Sequence, residues 1–242
     1  IENCREDSEL FADDLLPIVY QGSQSTSESE IDDKAFCIEA LGYFLSFIPK
    51  KCEEIYEESI AIILAAASDE NFLLRSIGIN SLINIIKFGQ GDLPYDFTQY
   101  AIEVAVNALG MKLPEDDGMY AEDDSSITVE DIIVAGFKLL RFLLKYHFES
   151  CKLISAGLPR LINSALLTTP LIQVIAIKTT AYYIIRVDPD QTDIYDNLFN
   201  LITSKSESGE VADESVVIAC FNTYRKILSR SNNQLAGLYF ER

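Results

Sequence analysis

Residues 34–41 read KAFCIEAL, and this stretch sets a helical pattern that four later stretches repeat. The repeats are RSIGINSL at 75–82, IIVAGFKL at 132–139, VIAIKTTA at 174–181 and VIACFNTY at 217–224. Their first residues lie 41, 57, 42 and 43 positions apart along the chain. A period of about 42 residues is the length of one helix pair in a stacked array, where each pair buries its apolar face against its neighbours. We call the five stretches the signatures, and their spacing predicts about five helix pairs.

The composition agrees with such an array. Of the 242 residues 48% are hydrophobic, while Gly and Pro number only 11 and 7 and Trp is absent. Because an array grows by adding units, one elongated domain over residues 1–242 is the simplest expectation. The start without Met and the apolar ending at 235–240 lead us to expect a fragment of a longer protein. The one long step between signatures corresponds to an acidic loop insert at 112–127.

Capping residues predict where several helices begin. Thr128 and Asp131 have the spacing of a capping box before the third signature. Thr169 precedes Pro170, a residue that favours the first turn of a helix. The first helix is predicted at residues 7–20, and the spacing of its apolar residues predicts an inward face made of Leu10, Phe11, Leu15, Ile18 and Val19.

The net charge of −19 is concentrated in one half of the chain. Residues 1–131 hold 28 Asp/Glu and 7 Lys/Arg, whereas residues 132–242 hold 10 Asp/Glu and 12 Lys/Arg. Crowded carboxylates attract basic segments over long distances. The asymmetry therefore predicts that the N-terminal half favours basic stretches of a partner.

Five cysteines without a Cys-x-x-Cys pair argue against a disulfide framework or a thiolate zinc site. Cys37 and Cys220 lie within signatures and are expected to be reduced core residues. The sequence has no Asn-x-Ser/Thr sequon, no secretory leader and no apolar run of about 18 residues. We therefore expect an intracellular protein of the cytoplasm or nucleus, or both, without a membrane partner.

Two local motifs resemble known helical repeats. Asp69 stands six residues before Arg75, as in the HEAT consensus, where the Asp and Arg of successive units are linked. Residues 153–162, LISAGLPRLI, resemble the armadillo element in which a short helix breaks at a glycine, here Gly157. The resemblance to the HEAT/armadillo superfamily implies an all-α fold, a right-handed α-α superhelix of about five repeats. It also implies a binding surface on the concave side, formed by the second helix of each pair.

The signatures then predict which side chains line that surface. The ninth residue after each signature start and its neighbours one turn away form a ladder that is polar and aromatic early and basic late. Its members are Tyr43, Asn80, Asn84, Lys87, Arg141, Lys145, Tyr183, Arg186, Asn222, Lys226 and Arg230. Two interpretations stay open: a binding ladder, or cations placed at helix C-termini to complement the helix dipole.

Catalytic motifs are missing from the sequence. His147 is the only histidine, which excludes any site that needs two, and its place near a helix C-terminus predicts cationic character. No Gly-x-x-x-x-Gly-Lys, Gly-x-Gly-x-x-Gly or Gly-x-Ser-x-Gly pattern occurs. We expect no catalytic residue, no cofactor, no metal site and no small-molecule substrate.

The acidic insert has two interpretations. It is either a disordered, solubilising loop or a docking strand for a basic partner. Its carboxylates lack the regular spacing of a calcium loop. The residues concerned are Glu115, Asp116, Asp117, Glu122, Asp123 and Asp124.

The function predicted from these observations is a non-catalytic scaffold or adaptor. It would bind an extended, partly basic segment of a partner protein along its concave face. The alternative is a segment of a nuclear transport receptor or of a HEAT subunit of a condensin- or cohesin-like complex, since both families use such arrays. That alternative would include weak nucleic-acid contact through the C-terminal half.

Overall fold

The computed structural model describes residues 5–89, 95–114, 127–188, 192–203 and 213–230. Within these ranges it contains eleven α-helices and no strand, which confirms the predicted all-α solenoid class. The helices are α1 (Arg5–Ser23), α2 (Ile31–Phe47), α3 (Tyr56–Ala67), α4 (Phe72–Phe88), α5 (Tyr95–Leu109), α6 (Val129–Tyr146), α7 (Phe148–Cys151), α8 (Leu158–Ala165), α9 (Pro170–Arg186), α10 (Thr192–Thr203) and α11 (Glu214–Arg230). Short 3-10 segments cover Glu28–Glu30, Pro49–Ile55 and Lys152–Ile154. The five signatures lie on α2, α4, α6, α9 and α11, which we call the signature helices. We call the helix that precedes each of them its partner helix, and these are α1, α3, α5, α8 and α10.

The chain forms two compact units, Ile1–Phe142 and Leu143–Arg242. In the first unit α2 packs against α4, α3 packs against α4, and α3 also contacts α5. In the second unit α9 packs against α11, and α8 contacts α10. Signature helices therefore contact signature helices and partner helices contact partner helices, which is the layering of a solenoid. The single domain over residues 1–242 stays a prediction.

Both predicted helix starts are confirmed. The Thr128 amide donates to Asp131 Oδ2 at 3.0 Å, and the Asp131 amide donates to Thr128 Oγ1 at 3.3 Å, so the capping box is closed in both directions. At α9 the Ile172 amide donates to Thr169 Oγ1 at 3.5 Å. The insert at 112–127 lies mostly outside the described residues, and so do its six predicted carboxylates.

Close approach between partner and signature helices depends on small residues. A Cβ on Gly78 of α4 would overlap the backbone nitrogen of Ala67 on α3 and lie 2.6 Å from Ala67 Cα. A Cβ on Gly136 of α6 would lie 2.7 Å from Ala108 Cβ on α5. Both glycines therefore let the two helices of a pair touch backbone to backbone or nearly so.

The first pair meets the same requirement with the roles reversed. Here the glycine is Gly22 on α1, and a Cβ on it would overlap the Cys37 sulfur on α2. In the second unit the corresponding residues are Ala176 and Cys220, both 0% exposed. The small residues at these positions of the five signature helices are thus spaced 41, 58, 40 and 44 residues apart, at Cys37, Gly78, Gly136, Ala176 and Cys220.

The predicted inward face of α1 is wrong. The buried residues are Ala12 at 0% exposure, Leu16 at 9% and Ser23 at 1%. Three of the predicted core residues are instead exposed, namely Phe11 at 58%, Leu15 at 44% and Ile18 at 65%. Val19 is half-buried, and the side chain of Leu10 lies outside the described residues. Because α1 packs on α2, the face that carries small residues allows the closer approach, and the bulky apolar stripe is left outside.

The link between Asp69 and Arg75 forms in a different way from the HEAT consensus. Arg75 Nε donates to the Asp69 backbone oxygen at 2.6 Å, whereas the Asp69 carboxylate accepts from the Asn71 amide at 2.8 Å. Asn71 in turn caps α4 by accepting from the amides of Leu73 and Leu74. Arg75 therefore stabilises the carbonyl end of the α3–α4 turn, and the two side chains do not form an ion pair.

None of the described helices is long and apolar enough to cross a membrane.

Candidate functional site

The outward face of the signature helices can be followed by counting from Cys37, Gly78, Gly136, Ala176 and Cys220, one small residue in each helix. Positions two, six and ten residues further on are exposed or half-buried in all five helices. We call these fifteen residues the signature face. They are Glu39, Asn80, Lys138, Lys178 and Asn222 at the first position, Tyr43, Asn84, Phe142, Tyr182 and Lys226 at the second, and Phe47, Phe88, Tyr146, Arg186 and Arg230 at the third.

In the first unit the signature face of α2 and α4 is aromatic at its C-terminal end. The Tyr43 and Phe47 rings stack with centroids 6.1 Å apart, and the Phe47 and Phe88 centroids are 4.9 Å apart. Lys87 Nζ lies 4.2 Å from the centroid of the Phe88 ring, and Asn84 is half-buried one turn earlier on α4. The structure therefore places the predicted residues Tyr43, Asn84 and Lys87 around two aromatic residues that the sequence pattern missed.

In the second unit the face of α9 and α11 is basic. Lys226 Nζ lies 3.3 Å from the centroid of the Tyr182 ring, which joins the two helices across this face. Lys178, Arg186 and Arg230 are exposed on the same face. Helix α9 contains no acidic residue, and α11 contains one, at its first position. Asn222, also predicted, is exposed one turn before Lys226.

Tyr183 is a core residue, and its assignment to the ladder is wrong. Its side chain is 1% exposed and its hydroxyl donates to the Ser155 backbone oxygen at 3.3 Å. Burial, followed by the charge of Asp188, raises the pKa of Tyr183 to about 12. The tyrosine on the signature face is Tyr182, which is half-buried. The buried small residues of α6 and α9 are 40 residues apart, whereas the signature starts on these helices are 42 residues apart, so the two ways of counting select different positions.

The predicted cations sit in the last turns of their helices. Lys87, Lys145, Arg186 and Arg230 end α4, α6, α9 and α11. Lys145 Nζ donates to the Tyr146 hydroxyl at 2.6 Å. Their positions are compatible with both interpretations of the ladder. A cation in the last turn complements the helix dipole, and its side chain can also contact a partner.

Arg141 lies one residue before the face position in α6. Its guanidinium carbon is 5.3 Å from the centroid of the Phe142 ring. The residue at the face position is Phe142, because the buried glycine of α6 comes one residue later than the signature count assumed.

Burial shifts the pKa values of one histidine and three cysteines towards their neutral forms. Burial lowers the pKa of His147, so the predicted cationic character is wrong. Burial raises the pKa of the Cys52 and Cys220 thiols to about 11 and that of Cys151 to about 12. Cys220 is a reduced core residue as predicted, whereas Cys37 is half-buried. In the part of the chain that the structure describes, no group of three or more His, Cys, Asp or Glu residues could hold a metal ion.

Two open clefts lie on partner helices, away from the signature face. One of about 640 Å³ is lined by Lys50 and by glutamates of the α3 region, and the other, of about 710 Å³, lies between α8 and α10. In the second cleft Asn197 Nδ2 donates to Asn163 Oδ1 at 2.9 Å. Neither cleft contains residues predicted from the sequence.

Comparison with known proteins gives a likeness to solved structures and no match in sequence. No protein-family model matches the chain, and no curated protein matches it in sequence. Among solved structures the chain is similar to a designed armadillo repeat protein, with 15% identity and a TM-score of 0.40, over 88% of this chain and 99% of that one. Function must therefore be inferred from the surface chemistry of the chain itself.

Proposed function

We propose that the chain is a non-catalytic protein-interaction scaffold, and that in each of its two units the signature face binds an extended segment of a partner protein. The observation that carries this proposal is the regular exposure of the same three positions in all five signature helices. Fourteen of the fifteen side chains there are aromatic, amide or cationic, and the other is Glu39. Such groups contact a partner through ring faces, hydrogen bonds and charge without requiring any chemistry.

The spacing of the face supports an extended ligand. Neighbouring helices such as α2 and α4 pack about 8–10 Å apart, and an extended chain advances about 3.3 Å per residue. In the first unit, a segment that crosses α2 and α4 would thus place residues three apart over the two helices. Asn80 and Asn84, one turn apart on α4, each offer an amide donor and an acceptor to its main chain.

The carboxylates of α2 favour basic residues in a partner segment that binds the first unit. Asp32 and Asp33 are exposed in the first turn of α2, and Glu39 occupies the first position of the signature face. None of the three is in an ion pair with another described residue. We expect the scaffold to act inside the cell, in the cytoplasm or nucleus, where thiols such as Cys52 and Cys151 stay reduced.

A second candidate function is nucleic-acid contact through the second unit, as in a segment of a nuclear transport receptor or of a chromosome-organising HEAT subunit. The observation that favours it is the basic face of α9 and α11 beside Tyr182. The net charge of −19 opposes it, because a polyanion is repelled at long range.

Selection from a random peptide display library tests the scaffold proposal. We expect enrichment of short linear peptides whose affinity falls at least about tenfold in Tyr43→Ala and Asn84→Ala, since hot-spot side chains of an interface contribute this much. The matched control is Glu57→Ala, which changes an exposed side chain of α3 outside the signature face and should leave the affinity unchanged. Failure to select any peptide, or equal losses in the control, would contradict the proposal.

A further inference from the structure

The second unit carries a set of cations that contact aromatic rings but no carboxylate among the described residues: Arg186 lies 5.5 Å from the centroid of the Phe148 ring and Lys226 lies over the Tyr182 ring. We call Lys178, Arg186, Lys226 and Arg230 the basic face, and all four lie on α9 or α11. None of the four forms an ion pair with another described residue. The one carboxylate on these two helices is Glu214, twelve residues before Lys226 and so about 18 Å away along the helix.

The basic face costs the protein self-repulsion. Lys226 and Arg230 are four residues apart on one side of α11, and like charges at this spacing destabilise a helix. A bound anion would replace that repulsion with attraction. Lys226 is also held over the Tyr182 ring, so it would lose less rotamer freedom on binding than a lysine extended into water.

From these observations we infer that the basic face binds a carboxylate-rich, extended segment of a partner protein. This inference rests on the proposed function and specifies the chemistry of the ligand for the second unit. Along α11 the Cα atoms of Lys226 and Arg230 are about 6 Å apart, and alternate residues of an extended chain are about 6.6 Å apart. Acidic residues at alternate positions would therefore meet both cations, and the Arg230 guanidinium can bind a carboxylate with two hydrogen bonds.

A protein segment fits the face better than a nucleic acid does. Single-stranded nucleic acids bind by stacking bases on exposed aromatic rings, but one side of the Tyr182 ring is covered by the Lys226 ammonium group at 3.3 Å. A long polyanion would also experience the field of a chain with a net charge of −19. A short peptide contacts only the local face, and Asn222 is available to its main chain.

The test measures binding of a fluorescein-labelled peptide of alternating Glu and Ser to the full chain by fluorescence polarisation. We expect Lys226→Glu and Lys178→Glu each to weaken binding about tenfold, because each change removes an attraction and adds a repulsion. Arg225→Glu is the matched control: it makes the same charge change at the next residue of α11, off the signature face, and should cost less than about threefold. Added salt should weaken binding of the wild-type chain, and a peptide of alternating Lys and Ser should not bind.

Several outcomes would overturn the inference. Absence of binding by the acidic peptide would do so, and so would equal losses in Lys226→Glu and Arg225→Glu. If an oligonucleotide of equal charge binds more tightly than the acidic peptide and displaces it, the inference is wrong and the nucleic-acid function is favoured instead. Thermal unfolding of each variant verifies folding, and the exposed Lys178 supplies a variant that touches no ring. If displayed peptides depend on Tyr43 and Asn84 while the acidic peptide does not bind, only this inference fails and the scaffold proposal stands.

Discussion

Replacing Gly78 with Ala tests whether the small residue of the signature helix sets the packing distance between the helices of a pair. The new Cβ would overlap the backbone nitrogen of Ala67 and lie 2.6 Å from its Cα. Ala67 is the last residue of α3 and is 3% exposed. Because the obstructing atoms are backbone, no side-chain rotation relieves the overlap, and α3 and α4 must separate.

The magnitude follows from the required separation. Ordinary van der Waals contact for a Cβ begins at 3.4 Å, so the helices must move apart by close to 1 Å at this point. A gap of that size forfeits about a quarter to a half of each contact, and overpacking a core costs about 1–3 kcal/mol. Ala gains at most about 1 kcal/mol over Gly in a helix interior. We therefore expect the free energy of unfolding of the first unit to fall by about 2 kcal/mol.

Hydrogen exchange in increasing urea, read on peptides covering residues 56–88, is the suitable assay because the two units need not unfold together. Gly157→Ala is the control, since its Cβ would meet nothing closer than Ile154 O at 3.7 Å and should be neutral or slightly stabilising. Gly136→Ala should be rescued by Ala108→Gly, because its closest contact is the Ala108 methyl group. A Gly78→Ala chain as stable as the Gly157→Ala chain would refute this reasoning.

Three further predictions concern single side chains. Tyr183→Ala should lower the free energy of unfolding by about 3–5 kcal/mol because a buried aromatic residue is lost. Tyr182→Ala should lower it by less than about 1 kcal/mol, and urea unfolding of the two variants measures both values. Arg75→Ala should cost about 1–2 kcal/mol in the same assay and Asp69→Ala less, because the arginine bonds the backbone oxygen of Asp69; equal costs would indicate a carboxylate ion pair. Cys151 should resist a thiol reagent at pH 8 in the folded chain, since burial raises its pKa to about 12. The pKa of Cys151 in the folded chain lies above its ordinary value of 9.0, so the stability that the protonated thiol contributes is complete below pH 9 and is lost as the pH rises towards 12. In Cys151→Ala the free energy of unfolding should therefore fall less steeply between pH 9 and pH 12.

The helical architecture was predictable from the sequence because it depends on periodicity. Apolar positions three and four apart specify a helix wherever they occur, and capping groups such as Thr128 mark its start without reference to distant residues. The inward face of α1 was not predictable in this way. Phe11 and Ala12 both belong to an apolar stripe, and only the distance to α2 decides which of them is buried.

The candidate site was predictable in its chemistry and wrong in its register at two helices. A helical residue turns by about 100° relative to the one before it, so a shift of one position exchanges core and surface. Tyr182 and Tyr183 are adjacent and chemically identical, and sequence alone gives no reason to prefer either. The distinction comes from Ala176, which is buried against neighbouring helices and so fixes the rotation of α9. Phe47 and Phe88 were missed because residues near helix ends carry little periodic signal.

The arrangement of small residues between paired helices also restricts which helices can pair. In the first pair the glycine is on α1 and the larger Cys37 is on α2, whereas in the second pair Ala67 is on α3 and the glycine is on α4. If α2 docked on α3, the Cys37 sulfur would occupy the place where only the hydrogen of Gly78 fits. Placing α2 in the position of α4 would therefore produce the same overlap with Ala67 as a side chain on Gly78, which disfavours an exchange of these two helices. The chain encodes the order of its helices in the volumes of a few buried atoms.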